Sequence, residues 1–524
     1  MSAKTEGIAP NASRLLWAGF MAILAAGVGY SIRNGILKQW AEQFGFTMTE
    51  LGAITGGGLT GFGVVIILGS LIADKVGYGK LMVTALILHF VSAVITLAAP
   101  AAFASGGKSA AYNCLFYGMF IFSIGNGLAE TVVNPLTATL FPKNKSHFLN
   151  ILHAGWPAGL VLGSAAGFFM AGTPADADNG IAGVAPVDWK IQMSLFLIPV
   201  LVYGAMLLGQ KFPKSEASAA GVTIGEMLTT VFAPLMLVLL VAHALLGYVE
   251  LGTDSWIGKI TGSIMGSPAK GLLLFCYTSL LMFALRFVAG PIVHKISPLG
   301  LLFVSSILGA TGLTLLGGSA TVTACVVAAT VYALGKTFLW PTMLAVASER
   351  FPKGGAVAIG MLGGVGMLSA GLLGGPAIGF KQDYHASAKL KETAPAAFDR
   401  YKAGNENTFF SFKTVGLDGA KVGILEDDGK ELKRVDALLA KDNKKDENHA
   451  MLTAWWGDAK ATAAQDKRPV QEAGIHGGKT ALSLTAYVPA AMAVIYLLLI
   501  LYFKATGGYK ALNVAEEEAY EHKA

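Results

Sequence analysis

The sequence predicts an all-α membrane protein of twelve transmembrane helices, folded as two pseudo-symmetric bundles of six. Three observations carry that prediction. The 524 residues are 54% hydrophobic and only 14% charged, with a mean hydropathy of +0.57, whereas soluble domains are about 25% charged and have the polar surface that this chain lacks. Apolar runs of about 20 residues, the length that crosses a hydrocarbon core as a helix, recur twelve times. The second six runs repeat features of the first six. The 65 glycines add that helix backbones approach closely, because transmembrane helices associate by tight packing rather than by expelling water. That favours a helix bundle over a barrel.

Taken in order, residues 1–14 form a polar tail. The first run, 15–36, is too long for a secretory leader and lacks a small-residue cleavage pattern, so it reads as a retained helix. Runs at 51–73, 81–104, 111–134, 148–171 and 191–210 complete an N-terminal half, 15–210. A linker at 211–229 comes next. Runs at 230–253, 269–293, 299–317, 320–348 and 355–380 are helices 7 to 11. Residues 381–480 form a polar insertion in which basic and acidic residues nearly balance, with scattered aromatics such as Phe409, Phe410, Trp455 and Trp456. Its 414–425 stretch is compatible with a small hairpin, and the surrounding composition equally with a mobile loop. Helix 12 spans 481–503, and 504–524 is a tail.

Charge sets the expected orientation. Lys75, Lys80, Lys143, Lys145, Lys211, Lys214, Lys295, Arg350 and Lys353 fall on one set of loops, while Asp176, Asp178 and Asp188 fall on the other. Basic loops stay inside, so both termini are expected in the cytoplasm, with the protein in a plasma membrane or bacterial inner membrane. The formal charge of +6 then reports orientation, and no nucleic-acid motif accompanies it. Cys114, Cys276 and Cys325 lie in apolar runs without ligand spacing, so neither a metal nor a disulfide framework is expected. No Gly-x-x-x-x-Gly-Lys-Ser/Thr loop is present. The expectation is a monomer without cofactor, and not an enzyme.

The duplication is legible in fixed offsets. Gly125 matches Gly335 at the same shift at which Phe141-Pro142 matches Phe351-Pro352. Small residues recur every fourth position at Gly155, Gly159, Gly163 and Gly167, and again at Gly366, Ala370 and Gly374. Gly29-Tyr30 is echoed by Gly247-Tyr248. The loop after the second run, with Ser70, Asp74, Lys75 and Gly77, resembles the signature of the major facilitator superfamily, with a tyrosine at 78 in place of the usual arginine and a histidine at 294 in the second copy. Gly127, Glu130, Asn134 and Pro135, followed by Leu149, Asn150, His153 and Gly155, resemble the fucose/galactose/glucose proton symporter branch, as do Tyr248, Glu250, Trp256, Arg286 and Gly290. The resemblance covers the membrane runs and not the insertion.

An ionisable residue at membrane depth is costly unless it faces a cavity or a partner, so the few present are the mechanistic candidates. Glu130 lies near the middle of helix 4, about 16 Å from its inner end. It reads as a proton-carrying carboxylate or as a structural ion-pair partner, and the resemblance implies a proton or substrate role. Arg33 and Asn34 on helix 1 face the symmetry-related Glu250 on helix 7, so an Arg33–Glu250 pair across the halves is expected to form or break on rocking, or else to stay closed. Asn34 stands where the branch has an aspartate, so coupling rests on Glu130 alone, involves Glu250, uses sodium, or is absent. Lys336 either neutralises Glu130 from the other half or attracts an anion. Trp340 and Trp156 are candidates for stacking on a sugar, or for core packing. Asn150 and His153 share one helix face suited to a hydroxylated solute. His243 reads as a structural histidine, Arg286 as an anchor or anion site, and Asp74, Lys75 and Gly77 as a cytoplasmic gate.

These residues imply a secondary transporter working by alternating access, with a small-molecule cargo held between the halves in the bilayer. The expected cargo is a sugar or similar polar solute, moved by proton symport. An organic-anion or nitrate-like exchanger is the alternative that Arg33, Arg286 and Lys336 favour. A membrane sensor using the 381–480 segment is the alternative of another class.

Overall fold

The computed structural model describes residues 8–44, 46, 48–170, 187–441 and 447–521; Asp176 and Asp178 lie outside them. Among the described residues, twelve helices are long and apolar enough to cross a membrane: Ala12–Arg33, Ala53–Val76, Tyr78–Leu97, Ala99–Leu140, Lys145–Met170 and Trp189–Leu207, then Pro234–Ile264, Pro268–Arg286, Ala289–Gly318, Val322–Arg350, Pro352–Thr393 and Glu447–Ala505. They are called spans 1 to 12. Large apolar side chains such as Val64, Leu68, Phe169, Leu201 and Leu498 stay exposed on their outer faces, as expected where lipid replaces water.

Local chemistry sets the span ends. Ser267 caps span 8 by accepting the Lys270 N–H, with Pro268 in the first turn, and Thr321 caps the start of span 10 by accepting the Ala324 N–H. Gly77, at φ +91°, makes the turn between spans 2 and 3, a left-handed conformation that favours glycine. In the linker, Thr223 and Glu226 form a reciprocal capping box.

The duplication reappears in three dimensions. Phe141 and Phe351 end spans 4 and 10 with the same backbone, φ −128° at both and ψ 60° and 59°. Gly125 lies against His89 of span 3, and Gly335 against Gly309 of span 9. Gly155 meets the Phe20 carbonyl, Gly159 the Leu24 carbonyl and Gly27, and Gly163 the Val28 carbonyl and Ser31, so the four-residue spacing places bare backbone along span 1. Spans 7 and 11 repeat this contact through Gly247 against Gly366 and Gly252 against Gly374. At that second contact both helices widen into π turns, Tyr248–Gly252 and Ala370–Gly374.

The halves join along two seams. Span 2 lies on span 11, with Gly63 against Gly364 and Leu368 and Gly360 against Ser70. Span 5 lies on spans 8 and 10. At the end of the molecule that carries the termini, Lys145 donates to the Ser348 carbonyl at 2.9 Å, and Asn150 to Thr342 Oγ1 at 3.2 Å. The C-terminal segment is held at that end too: the Leu512 N–H donates to the Glu349 carbonyl, the Tyr509 hydroxyl to the Glu349 carboxylate, and Arg350 to the Lys510 carbonyl.

The 381–480 segment differs from both readings of it. The polar end of span 11 stays helical to Thr393, and within span 12 a helix from Ala463 to Thr485 leads into the apolar Tyr487–Ala505. The two pack where Gly477 meets the Gln382 carbonyl and Ala386. Between them Leu390, Tyr401, Leu425, Trp456 and Val470 form a separate apolar core, and Arg400 grips the buried Asp466 through two hydrogen bonds. The hairpin pairs Asn407–Phe409 with Phe412–Thr414, earlier than the 414–425 stretch. Asp418 instead accepts the Ala420 and Lys421 N–H groups and starts a helix, Gly419–Glu426; a capping carboxylate decides for helix where the glycines suggested a turn.

The packing predicts a contrast within one glycine stripe. Gly159→Leu, which drives a side chain into span 1, should destabilise the protein by about 1–3 kcal/mol as overpacking does. Gly167→Leu, at a position where an added Cβ meets nothing within 4 Å among the described residues, should leave the melting temperature in detergent unchanged.

Candidate functional site

Each half contributes walls to a cavity of about 190 Å³. It lies toward the end away from the termini, because span 1 leaves the terminal end at Ala12 and reaches the cavity at Tyr30 and Arg33. Thr55 and Leu59 of span 2 line it from the same half, and Ser255 of span 7 and Gly371 of span 11 from the other. Gly371 belongs to a π turn, and Ser255 comes shortly after the other. A π turn re-aims the side chains beyond it, and such turns are frequent at functional sites. Arg33 is 1% exposed. It donates to the Gly29 carbonyl and to Ser92 Oγ at 3.2 and 3.3 Å, and its guanidinium lies 3.7 Å from the Phe122 ring centre.

Deeper in the bundle, buried ionisable groups form a chain across the halves. Asn134, one turn beyond Glu130 on span 4, donates to the Glu130 carboxylate at 2.5 Å. His153 of span 5 donates from Nε2 to Asn134 Oδ1 at 2.8 Å. From the other half, Arg286 of span 8 donates to the His153 carbonyl at 2.5 Å, to the Thr337 carbonyl at 2.8 Å, and to Glu250 Oε1 of span 7 at 3.2 Å. Among the described residues the second Glu250 oxygen, Oε2, has no hydrogen-bond partner. Next to this chain Lys336 of span 10 pairs with Asp254 of span 7 at 2.5 Å. Glu130, Glu250, Arg286 and Lys336 are all under 10% exposed, so each depends on these partners rather than on water.

A sequence-family profile described as Major Facilitator Superfamily matches residues 19–375. The chain belongs to the major facilitator superfamily. Solved structures with its fold include the transporter FucP in the outward conformation, at 16% identity and TM-score 0.56, covering 70% of this chain and 91% of that one. Another is the proton:xylose symporter XylE bound to 6-bromo-6-deoxy-D-glucose, at 15% identity and TM-score 0.53, covering 68% and 86%. A third is a bacterial homologue of the human lysosomal transporter Spinster, inward-facing and unoccupied, at 13% identity and TM-score 0.57, covering 93% and 98%. At these identities the likeness is one of fold. No curated protein matches the sequence.

In this member of the superfamily the structure redistributes the expected pairs. Arg33 does not meet Glu250: it packs inside its own half on Phe122 and Ser92, while Arg286 reaches Glu250 from the neighbouring span 8. Lys336 does not neutralise Glu130, because Asp254 lies within its reach on span 7. Asn34 lies outside the residues whose side chains are described. Asn150 is buried, bonded to the Ser146 carbonyl and to Thr342 across the seam, and His153 is turned to Asn134 rather than to the cavity. Trp156 lies behind the cavity wall, with ring centres 5.7 Å from Tyr30. Trp340 is 4% exposed and packs on His243 at 4.6 Å. Asp74 is half-buried near Ser215 of the linker and Tyr78 of span 3, its Oδ2 making no hydrogen bond among the described residues, while Lys75 is exposed.

Several residues of the network escape the sequence reading. His89 of span 3 donates to Asn126 Oδ1 at 2.9 Å and accepts from the Tyr203 hydroxyl at 2.8 Å; partners so far apart in the chain leave no local signal. Asn134 carried one, since an amide four residues after a carboxylate shares its helix face.

The Lys336–Asp254 pair gives a test of partner dependence. Asp254→Asn strands a buried ammonium and should cost about 3–5 kcal/mol, whereas the double variant Lys336→Met/Asp254→Leu should recover most of that loss. Thermal melts of the purified protein distinguish the two.

Proposed function

We propose that the protein is a secondary transporter that moves a sugar or similar small polar solute by alternating access, with proton symport through the buried chain from Glu130 to Glu250. The observation that carries this reading is Arg286. At the centre of the bundle it touches both halves, bonded to Glu250 in its own and to the His153 carbonyl in the other, with the Glu130 charge acting on it as well.

Rocking one half against the other must break the Arg286–His153 contact. While Glu130 is ionised, its attraction for Arg286 opposes that separation; once it takes up a proton, the attraction falls and Glu250 alone retains the cation. Loading of Glu130 thus lowers the cost of the switch, and return of the ionised form raises it again. The cavity between Tyr30, Thr55 and Ser255 is the cargo site in this scheme, with Trp156 backing Tyr30. Asn150 with Thr342, and Lys145 with the Ser348 carbonyl, act as the closed gate at the terminal, cytoplasmic end. Asp74, held between linker and span 3, stabilises that closed arrangement, with Gly77 as the turn and Lys75 on the basic inner face. A second reading, an anion carrier, is favoured by Arg33, which enters the cavity wall as a cation.

Glu130→Gln mimics the protonated form permanently. In proteoliposomes with an imposed pH gradient it should abolish gradient-driven accumulation while preserving exchange of labelled for unlabelled solute. Accumulation that survives the substitution would remove the coupling role from Glu130.

A further inference from the structure

Arg33 differs from the other membrane-depth cations. Arg286 has Glu250 and Lys336 has Asp254, but among the described residues no carboxylate lies within 4.0 Å of the Arg33 guanidinium. Its hydrogen bonds go to neutral acceptors, the Gly29 carbonyl and Ser92, its Nε has no hydrogen-bond partner among the described residues, and its faces are covered by Phe122 and Phe196. Aromatic faces and a carbonyl ease the desolvation of a guanidinium without neutralising it, so a full charge stays buried at a cost that only an arriving anion can offset. The same side chain is the charged member of the cavity wall.

The rest of the wall narrows the class. Ser255, in the wall, donates its hydroxyl hydrogen to the Leu251 carbonyl of its own helix at 3.0 Å. With its hydrogen so engaged, the Ser255 oxygen meets a solute as an acceptor. An acceptor there welcomes the hydroxyl of a solute and repels an additional anionic oxygen, which sets the site against phosphate or nitrate. A volume of about 190 Å³ is below the range of roughly 300–1,000 Å³ for drug-sized ligands.

We infer that the cavity binds a monosaccharide-sized sugar acid, with the carboxylate on the Arg33 guanidinium and a hydroxyl donated to Ser255. The planar fork of arginine matches a carboxylate in two hydrogen bonds, which a lysine ammonium cannot do. This rests on the reading of the cavity as a cargo site and specifies what it carries.

The test uses the full-length purified protein with D-glucuronate, D-galacturonate and D-gluconate as probes, and D-glucose, acetate and phosphate as comparators. Binding is measured by thermal shift and calorimetry, transport by uptake into proteoliposomes. At least one sugar acid should bind at least tenfold more tightly than glucose or phosphate. Arg33→Gln should abolish that preference, Arg33→Lys should retain it in weakened form, and Ser255→Ala should weaken the sugar acid several-fold without affecting acetate. Should Arg33→Gln not fold, the lysine and alanine variants still decide. Preference for glucose or phosphate, no response to any of the three acids, or a sugar acid bound equally well by Arg33→Gln would overturn the inference. Sugar-acid binding without uptake would leave it standing and remove the transport reading; glucose uptake indifferent to Arg33→Gln would do the reverse.

Discussion

In a hydrocarbon interior a charge persists only where a partner or a cavity reaches it, and Arg286 is where that constraint ties the two halves together. Its three hydrogen bonds go to Glu250, to the Thr337 carbonyl and, across the interface, to the His153 carbonyl. Removing it would strand Glu250, whose second oxygen already lacks a hydrogen-bond partner among the described residues, and would leave Glu130 with only an uncharged amide. The positions of spans 4, 5, 7 and 8 around the centre are consistent with this single cation being shared. Lys336 and Asp254 satisfy each other beside it, so the central charges are organised as linked pairs rather than as isolated sites.

Close approach of the helices makes such sharing feasible. Arg286 can reach a carbonyl of the other half because spans 5 and 8 pack tightly, and span 5 is itself drawn onto span 1 by glycines that present bare backbone to the Leu24 and Val28 carbonyls. The counterpart contact between spans 7 and 11 carries the two π turns, which bring Ser255 and Gly371 to the cavity wall. Symmetric packing with asymmetric chemistry is the result: Arg33 and Glu250 start from related helices, but one stays beside aromatic rings at the cavity and the other joins the central chain.

The 381–480 segment shows the same economy. It is built on the polar ends of spans 11 and 12, so these helices inherit their direction from the bundle, and its own apolar core around Tyr401 and Trp456 holds the segment together without disulfides. Lys381 donates to the Tyr248 hydroxyl at 3.0 Å, linking the base of the insertion to the π turn of span 7.

Local composition and period were enough to settle the architecture. Scarce charge and twelve apolar runs dictate a helical membrane bundle, since only internally bonded helices satisfy the backbone there. Fixed offsets such as Phe141 with Phe351 expose the duplication, and a charge such as Glu130 or Arg286 in an apolar run stands out by cost alone. Which charge meets which was decided by tertiary structure. Arg33 and Glu250 look like partners by symmetry, and Lys336 and Glu130 by opposite sign, yet a side chain pairs with whatever the packed helices bring within hydrogen-bond reach. That distance is set by glycine contacts and π turns many residues away. The segment after span 11 was undecided for a related reason: its polar surface dominates its composition, while the few residues that make its core are gathered from several short helices and meet only when folded.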